Sequence, residues 1–254
     1  MTTPIRDHAP LPAPTGPYVT SIAATEERVR AAQRLRYRVF GREQGALLDS
    51  PVPGHDIDAF DDLADHLIVT ETATGDVVGT YRLLPPGRGD VSYAQTEFDL
   101  SALPASMRSS TVETGRACVA PEHRTGTVIN LMWAGLARYV LLSGHRYLAG
   151  CASVSLAEGE SAAATAWTFG RGKHAAPPEF QVRPLIPWSP ASALTGAPSY
   201  AHLPPLLRAY LRLGAWICGE PHYDRAFGTV DFFVLLDLEG VNERYRRYFL
   251  GDER

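Results

Sequence analysis

The fold is decided by residues 112–127, which read VETGRACVAPEHRTGT. Residues 112–120 have the composition and apolar pattern of a β-strand, and residues 121–126 have the composition of a tight turn. Apolar residues at helical spacing then predict a helix over about 127–143, with Gly144 as its stop. A strand, a turn and a helix in succession leave backbone N–H groups free at the helix N-terminus, where an anion binds favourably.

Further strands and helices are predicted on both sides of this segment. Strand-like runs at His66–Thr70 and Asp76–Leu84 enclose Thr74-Gly75, which favours a β-hairpin. The other predicted elements are helices at about 25–40 (ended by Gly41), 155–169, 205–215 and 242–250, and strands at 146–154, 216–220 and 229–238. This order predicts an α/β protein with a central mixed sheet and helices on both faces.

Two segments are rich in proline. Five prolines fall within the first 17 residues, which predicts a flexible tail over residues 1–20. Eight more fall within residues 177–205, too many for regular structure. That segment also carries four large apolar side chains: Phe180, Leu185, Ile186 and Trp188. We therefore expect a long packed loop at 177–205 within a single domain that covers residues 21–254.

Composition and charge exclude several classes of protein. The chain has 254 residues and a formal net charge of −4, so a general nucleic-acid-binding role is not expected. Cys118, Cys151 and Cys218 lie far apart, which predicts neither a disulfide framework nor a zinc site. No apolar run reaches the roughly 18 residues of a membrane span, and the N-terminus lacks a signal-peptide pattern. A cytoplasmic protein is expected.

Two features of the central segment are candidates for chemistry. Arg124 and the turn at Thr125–Thr127 suit a phosphate, although an ordinary strand-to-helix turn would look the same. A β-bulge at Gly115 would bring Glu113 and Arg116 to one side of the sheet. An acid held there by an arginine could position an amine or take its proton, and the alternative is a structural ion pair.

Carboxylates are concentrated at residues 56–65. Asp56, Asp58, Asp61, Asp62 and Asp65 precede His66, where a strand begins. Such a cluster suits a cationic amine or a metal, but the spacing does not match an EF-hand loop, and a solvated acidic loop is the simpler alternative. The cysteines lie in apolar strand patterns and are not expected to be nucleophiles.

The order of these and other motifs resembles that of the ornithine-lipid-forming N-acyltransferases. The matching segments are LRYRVF (35–40), DAFD (58–61), DHLIV (65–69), GTYRLL (79–84), EFDL (97–100), ETGR (113–116), RYLAGCAS (146–153), GAWICGEP (214–221) and TVDFF (229–233). The resemblance covers about residues 25–250. It implies the GCN5-related N-acyltransferase (GNAT) fold, with a mostly antiparallel sheet and a C-terminal extension. The N-terminal half is also similar to the acyl-homoserine-lactone synthases.

The resemblance implies the reaction and the residues that carry it. A long-chain acyl group, with or without a 3-hydroxyl, would pass from acyl carrier protein to the α-amine of an amino acid, with ornithine favoured, to give a lyso-aminolipid. Glu113 held by Arg116 would be the catalytic pair. The implied substrate-binding residues are Arg36, Phe40, Asp58, Asp61, His66, Arg82 and Phe98. The implied donor-binding residues are Cys118, Val119, Ala120, Arg124, Thr125, Gly126 and Thr127.

No bound cofactor and no metal are expected, and the acyl donor is a co-substrate. The turn has one glycine, so it suits the single phosphate of a carrier-protein pantetheine at least as well as acyl-CoA. Arginines of the first helix or Arg244–Arg247 would receive an acidic carrier protein, and a lipid-like product would allow peripheral contact with the inner face of the membrane. The alternatives are acylation of a homoserine-lactone-type or other small amine, and a non-enzymatic acyl-carrier or lipid-binding module.

Overall fold

The computed structural model describes residues 16–192 and 197–241. The strands are β1 Tyr18–Ile22, β2 Asp65–Glu71, β3 Val77–Leu84, β4 Phe98–Asp99, β5 Thr111–Val119, β6 Tyr147–Ser155, β7 Arg183–Pro184, β8 Trp216–Ile217, β9 His222–Asp224 and β10 Thr229–Asp237. The helices are α1 Glu26–Arg36, α2 Ala105–Arg108, α3 Gly126–Ser143, α4 Ser161–Gly170 and α5 Pro205–Arg212. The predicted hairpin, the strand–turn–helix segment and its Gly144 stop are confirmed; Gly144 is left-handed, with a φ of 69°.

Apart from a two-stranded sheet of β4 and β7, the fold is carried by one eight-stranded mixed sheet. Its strand order is β1-β2-β3-β5-β6-β10-β8, and β9 also pairs with β10. Every neighbouring pair is antiparallel except β5 with β6, which is parallel. The expected mixed, mostly antiparallel sheet is therefore confirmed, and its one parallel pair lies at the centre.

Helices cover both faces of this sheet. A Cβ at Gly79 of β3 would meet Met132 and Val128, so α3 lies on that face. The next residues along β3 alternate: Tyr81 points to the same face and bonds Tyr210 of α5 at 2.5 Å between hydroxyl oxygens, whereas Arg82 points to the other. A second apolar cluster around Phe98, Met107 and Phe233 fills the space beside β6 and β10.

The first helix runs further than expected. Thr25 caps α1, since its hydroxyl accepts from the Arg28 N–H at 3.3 Å, and Glu26 and Glu27 occupy the favourable first turn. Gly41 does not stop the helix, because the chain continues as a π-helix over Tyr37–Glu43. The wider turn ends with the Gln44 N–H bonded to the Val39 carbonyl at 3.0 Å.

The proline-rich loop packs only in part. Trp188 and Val182 are buried, as expected of a packed loop, and Phe180 stacks on Trp216. Leu185 and Ile186 are 55% and 41% exposed, so the expectation that they pack inward is wrong. Their backbones are instead tied down, since the Leu185 N–H donates to the Glu97 carbonyl at 2.7 Å.

Several boundaries differ from the sequence prediction; the helix expected over 205–215, for example, ends at Arg212. Residues 18–20, counted with the flexible tail, belong to β1, which pairs with β2. The strand expected at 216–220 stops at Ile217, because Gly219 adopts a φ of 109°. The helix expected over 155–169 begins only at Ser161, since β6 continues through Ser155. Residues 1–15 and the helix predicted at 242–250 lie outside the described residues, and the single-domain boundaries stay a prediction.

None of the helices in the described residues is long and apolar enough to cross a membrane.

Candidate active site

The centre of the sheet opens where its two parallel strands part. β5 and β6 pair through three positions, which end at Glu113 opposite Ala149. β5 then continues beside β3 to Val119 while β6 continues beside β10 to Ser155. A cavity of about 280 Å³ lies at the divergence, lined by residues of both strands, among them Thr114–Ala117 and Gly150–Ser153. We call this cavity the cleft.

A β-bulge aims one arginine into the cleft. Thr80 of β3 lies opposite Cys118, but Arg82, two residues later, lies opposite Gly115, three residues away on β5. The extra residue is absorbed near Arg116, whose φ is 54°, a left-handed conformation that a side chain rarely adopts. β5 therefore has a bulge directly after Gly115, next to the position considered in the sequence.

Arg116 pairs with aspartates of the acidic loop and not with Glu113. Its guanidinium lies 3.3 Å from Asp56 and 3.3 Å from Asp58, and it stacks on the rings of Tyr93 and Phe227. Burial alone would lower the pKa of Arg116, but Tyr93 and the two aspartates raise it above its ordinary value. The guanidinium is therefore a permanent cation on the wall of the cleft.

Glu113 lies on the other side of the turn at Tyr93–Thr96. Its carboxylate accepts the Ala94 N–H at 2.8 Å, while Tyr93 of the same turn contacts Arg116. The expected Glu113–Arg116 pair is thus wrong, because this turn stands between the two side chains. Glu113 borders a second cavity of about 340 Å³ with apolar walls that include Leu103 and Phe233. Burial raises the pKa of Glu113 to about 7, even though hydrogen bonds from Ser92 and Ala94 oppose the shift.

Several residues expected to touch substrate form an internal ion-pair network instead. Arg36 is fully buried and donates to both carboxylate oxygens of Asp61, at 2.6 and 2.7 Å, and to Asp56 at 2.9 Å. His66 is buried against the Asp61 carbonyl at 3.2 Å, and burial lowers its pKa. The substrate-contact roles expected of Arg36, Asp61 and His66 are corrected here, since their polar groups are committed to one another.

This network supports the residues nearer the cleft. Asp61 accepts the Asp58 N–H at 2.9 Å, and Asp58 in turn accepts Arg82 at 2.5 Å and faces Arg116. Burial would raise the pKa of Asp58, but Arg82 and Arg116 outweigh it and hold that pKa below its ordinary value. Arg82 lines the cleft, so the structure brings Arg82, Arg116 and Asp58 together as expected.

The two predicted phenylalanines have different surroundings. Phe40 lines the cleft and packs edge-on against Phe227. Phe98 is 1% exposed in the second apolar cluster, against Phe233 and His222, so its expected substrate contact is replaced by a core role.

Backbone groups at the end of β5 remain available at the divergence. The Ala120 N–H donates to the Val78 carbonyl at 2.8 Å, and alternation in an antiparallel ladder then directs the Val119 N–H away from β3. The Val119 carbonyl also faces away from β3, since it accepts a hydrogen bond from Arg124 Nε at 3.2 Å. Cys118 and Ala120 are buried, and burial raises the pKa of the Cys118 thiol to about 12, which argues against nucleophilic use.

The N-terminus of α3 is uncapped by its own side chain. Thr125 occupies the N-cap position without a side-chain hydrogen bond, and Gly126 and Thr127 are exposed beside it. Arg124 reaches across the turn and forms a two-pronged pair with Glu43, at 2.6 Å for each oxygen. A phosphate at this helix end would meet free N–H groups and would compete with Glu43 for Arg124.

Sequence reasoning missed three carboxylates on the cleft wall. Glu97, Asp224 and Asp231 line the cleft, and one oxygen of each lies within 4.8 Å of the others. A signal was present at Asp231, an acid inside the otherwise apolar strand TVDFFVLLD at residues 229–237. Glu97 and Asp224 offered no such pattern, because Glu97 lies in the turn before β4 and Asp224 at the end of the short strand β9.

The fold and the cleft together define an N-acyltransferase of the GNAT class. Residues 35–134 match the family model described as an acetyltransferase (GNAT) domain. Over 245 residues the chain is 34% identical to the L-ornithine N(alpha)-acyltransferase of Brucella abortus, covering 90% of this chain and 87% of that protein. It is also 34% identical to the L-ornithine N(alpha)-acyltransferase of Agrobacterium fabrum, over 93% of this chain and 86% of that one. The chain belongs to this family, and it is an acyltransferase.

A solved structure confirms the fold. The acyl-homoserine-lactone synthase LasI superposes with a TM-score of 0.55, covering 92% of this chain and 95% of its own. The sequence identity is 14%, so the likeness shows a shared fold alone.

Proposed function

We propose that the protein transfers a long-chain, 3-hydroxylated acyl group from acyl carrier protein to the α-amine of ornithine, giving a lyso-ornithine lipid. The observation that carries this proposal is the cleft at the divergence of β5 and β6, whose walls bring arginines and carboxylates together. The ornithine assignment draws on the two relatives, which are named for that acceptor.

The acceptor fits the cleft by charge. Arg116 takes the α-carboxylate, because its guanidinium lines the cleft as a permanent cation, where the substrate competes with Asp56 and Asp58, each 3.3 Å away. Phe40 and Phe227 provide an apolar wall beside it. Asp58 holds Arg116 and Arg82 in place through its own contacts.

The chemistry is direct acyl transfer. The neutral α-amine attacks the thioester carbon, so a C–N bond forms and the carbonyl oxygen becomes an oxyanion. The Val119 N–H, which points away from β3, donates to that oxyanion. The C–S bond then breaks, the amine proton passes to a base, and the thiolate is protonated as it leaves. Glu113 is the proposed base, because burial brings its pKa to about 7; it borders the second cavity and not the cleft, so water carries the proton past the turn at Tyr93–Thr96.

The donor occupies the opening between the strands and the N-terminus of α3. Its pantetheine phosphate binds the free N–H groups at Thr125–Thr127 and draws Arg124 away from Glu43. Arg34, Arg38 and Arg42 form an exposed basic row near this end, since Arg38 lies 3.6 Å from Glu122 of the same turn. An acidic carrier protein would dock on this row, in the cytoplasm or at the inner face of the membrane.

Purified protein tests the proposal when it is supplied with 3-hydroxyacyl carrier protein and one amine at a time. Ornithine should yield an N-acyl product in mass spectrometry, and acyl-CoA should replace the carrier-protein thioester poorly. Equal transfer to glycine or homoserine would favour the alternative of a broader small-amine acyltransferase. Binding of the carrier protein without transfer to any amine would favour a binding module.

A further inference from the structure

Three carboxylates form a compact anionic group on the wall of the cleft away from the ion-pair network. Glu97 lies between the turn at Tyr93–Thr96 and β4, Asp224 ends β9 and Asp231 lies within β10. One oxygen of each lies within 4.8 Å of the other two. Glu97 and Asp231 are 4% and 2% exposed, so these charges are held out of bulk water.

One carboxylate oxygen of this group is unpaired. Glu97 Oε2 is buried and has no hydrogen-bond partner among the described residues. Asp224 and Asp231 each commit one oxygen to a neighbour: Asp224 Oδ1 accepts the Ala226 N–H at 2.8 Å, and Asp231 Oδ1 accepts the Thr229 hydroxyl at 3.0 Å. Asp231 also interacts with Ser153, so the unfilled position of the group lies at Glu97 Oε2. A buried carboxylate oxygen without a donor is costly, and a cationic donor placed among the three carboxylates would remove that cost.

The protonation behaviour agrees with a missing cation. The pKa of Glu97 is raised to about 8, mainly by burial and secondly by the charge of the neighbouring Asp231. Burial also raises the pKa of Asp231 to about 6. A cation placed among the three oxygens would stabilise both carboxylates in their charged form.

We propose that Glu97, Asp224 and Asp231 bind the side-chain ammonium of a diamino-acid acceptor; this inference rests on the proposed function. An ammonium group has three N–H donors and no acceptor, which matches three converging carboxylate oxygens. A nitrogen among oxygens spaced up to 4.8 Å apart can lie about 2.8 Å from each, the length of a charge-assisted hydrogen bond.

The arrangement explains how the cleft distinguishes the two amines of such an acceptor. Arg116 and the three carboxylates line the same cleft, and Phe227 links them: its ring lies under Arg116 while its N–H donates to Asp224 at 3.2 Å. With the α-carboxylate at Arg116 and the side-chain ammonium at the carboxylates, the ammonium stays charged and unreactive. The α-amine is then the one left to attack the thioester.

Norvaline provides the direct test, because it is ornithine without the side-chain amine. We expect wild-type kcat/KM for ornithine to exceed that for norvaline by about 10- to 100-fold, the range for hydrogen bonds to charged groups. Asp231→Asn and Glu97→Gln should each remove most of that preference by raising KM for ornithine, with the norvaline rate nearly unchanged. Asp237→Asn, an equal change further along β10 in a surface pair with Arg146, is the matched control and should keep the preference.

The outcomes separate this inference from the proposed function. Transfer to ornithine with an unaltered ornithine-to-norvaline ratio in both folded variants would overturn the ammonium site and leave the function standing. No transfer by the wild-type protein would overturn the function; calorimetry with ornithine and norvaline alone then decides the site. Weaker ornithine binding in both variants would support the ammonium site, and unchanged binding would overturn the site. Loss of ornithine binding on addition of EDTA would show that a divalent cation occupies the carboxylates and would also overturn it.

Discussion

The backbone carbonyl of Thr114 on β5 lies directly against the Cα of Gly150 on β6. A Cβ at Gly150 would overlap that carbonyl oxygen. The contact comes one residue after the last paired position, Glu113 opposite Ala149. It therefore marks the point at which the two parallel strands stop pairing and the cleft begins.

Replacing Gly150 by alanine should destabilise the protein and disturb the cleft together. The added methyl has to displace backbone, which costs about 1–3 kcal/mol in a packed interior. Thermal unfolding should show a Tm lower by about 2–4 °C for each kcal/mol. Gly172→Ala is the matched control, since its Cβ would lie at an ordinary 3.4 Å from the Thr168 carbonyl. Equal Tm values for the two variants would show that the close approach is not needed.

Replacing Glu113 by glutamine should slow transfer without abolishing acceptor binding. General-base catalysis contributes about 10²- to 10⁴-fold, so kcat should fall by that range while KM for ornithine changes little. The base acts when deprotonated, and burial sets its pKa at about 7, so wild-type activity should rise with pH through about 7. That limb of the pH–rate profile should be missing in the variant. A variant that keeps both the rate and the limb would assign the proton transfer to another group.

Reversing the charge of two arginines in the exposed basic row should weaken the use of acyl carrier protein as acyl donor but not of a small acyl-pantetheine. Arg38→Glu combined with Arg42→Glu should raise KM for acyl carrier protein by about tenfold or more at low salt, because such charges steer association. The KM for a short acyl-pantetheine donor should stay the same, since it does not reach the row. Added salt should shrink the difference between variant and wild type. Equal effects on both donors would place the carrier protein elsewhere.

Glu97, one of the three carboxylates on the cleft wall, should make the folded protein less stable as pH rises. The pKa of Glu97 is raised from its ordinary 4.5 to about 8, so between those values the folded protein keeps a proton that the unfolded chain releases. That proton stabilises the folded protein at pH 4.5, and this stabilisation is lost by pH 8. Glu97→Gln has no titratable carboxyl at this position, so the variant does not lose stability in this way. The variant should match the wild type in Tm near pH 5 and exceed it near pH 8, whereas a constant Tm difference across this range would contradict the shift.

The sequence predicted the backbone elements around the site better than the partners of its side chains. The strand, turn and helix at residues 112–143 followed from local patterns, and a bulge at Gly115 was considered only as a way to bring Glu113 and Arg116 to one side. The partners of those two side chains did not follow, because the turn at Tyr93–Thr96 that separates them is distant in the chain. The family resemblance implied substrate contacts for Arg36 and Asp61, and only their mutual burial in the structure shows a structural role.

The same limit explains the missed carboxylates. Glu97 and Asp231 are 134 positions apart and meet only after β10 has paired with β6 and the loop before β4 has folded over that pair. A pattern within one segment of the sequence cannot show that two residues far apart in the chain come into contact. Asp231 alone carried a hint, as a charge in an apolar strand.

Acyl transfer to ornithine by the purified protein tests the account most directly. Mass spectrometry of a reaction with 3-hydroxyacyl carrier protein and isotope-labelled ornithine should show an N-acylornithine that carries the label. Fragmentation should place the acyl group on the α-amine, and the product should be strongly reduced with Glu113→Gln. Absence of labelled product from a folded protein supplied with both substrates, or a product acylated on the side-chain amine, would contradict the account.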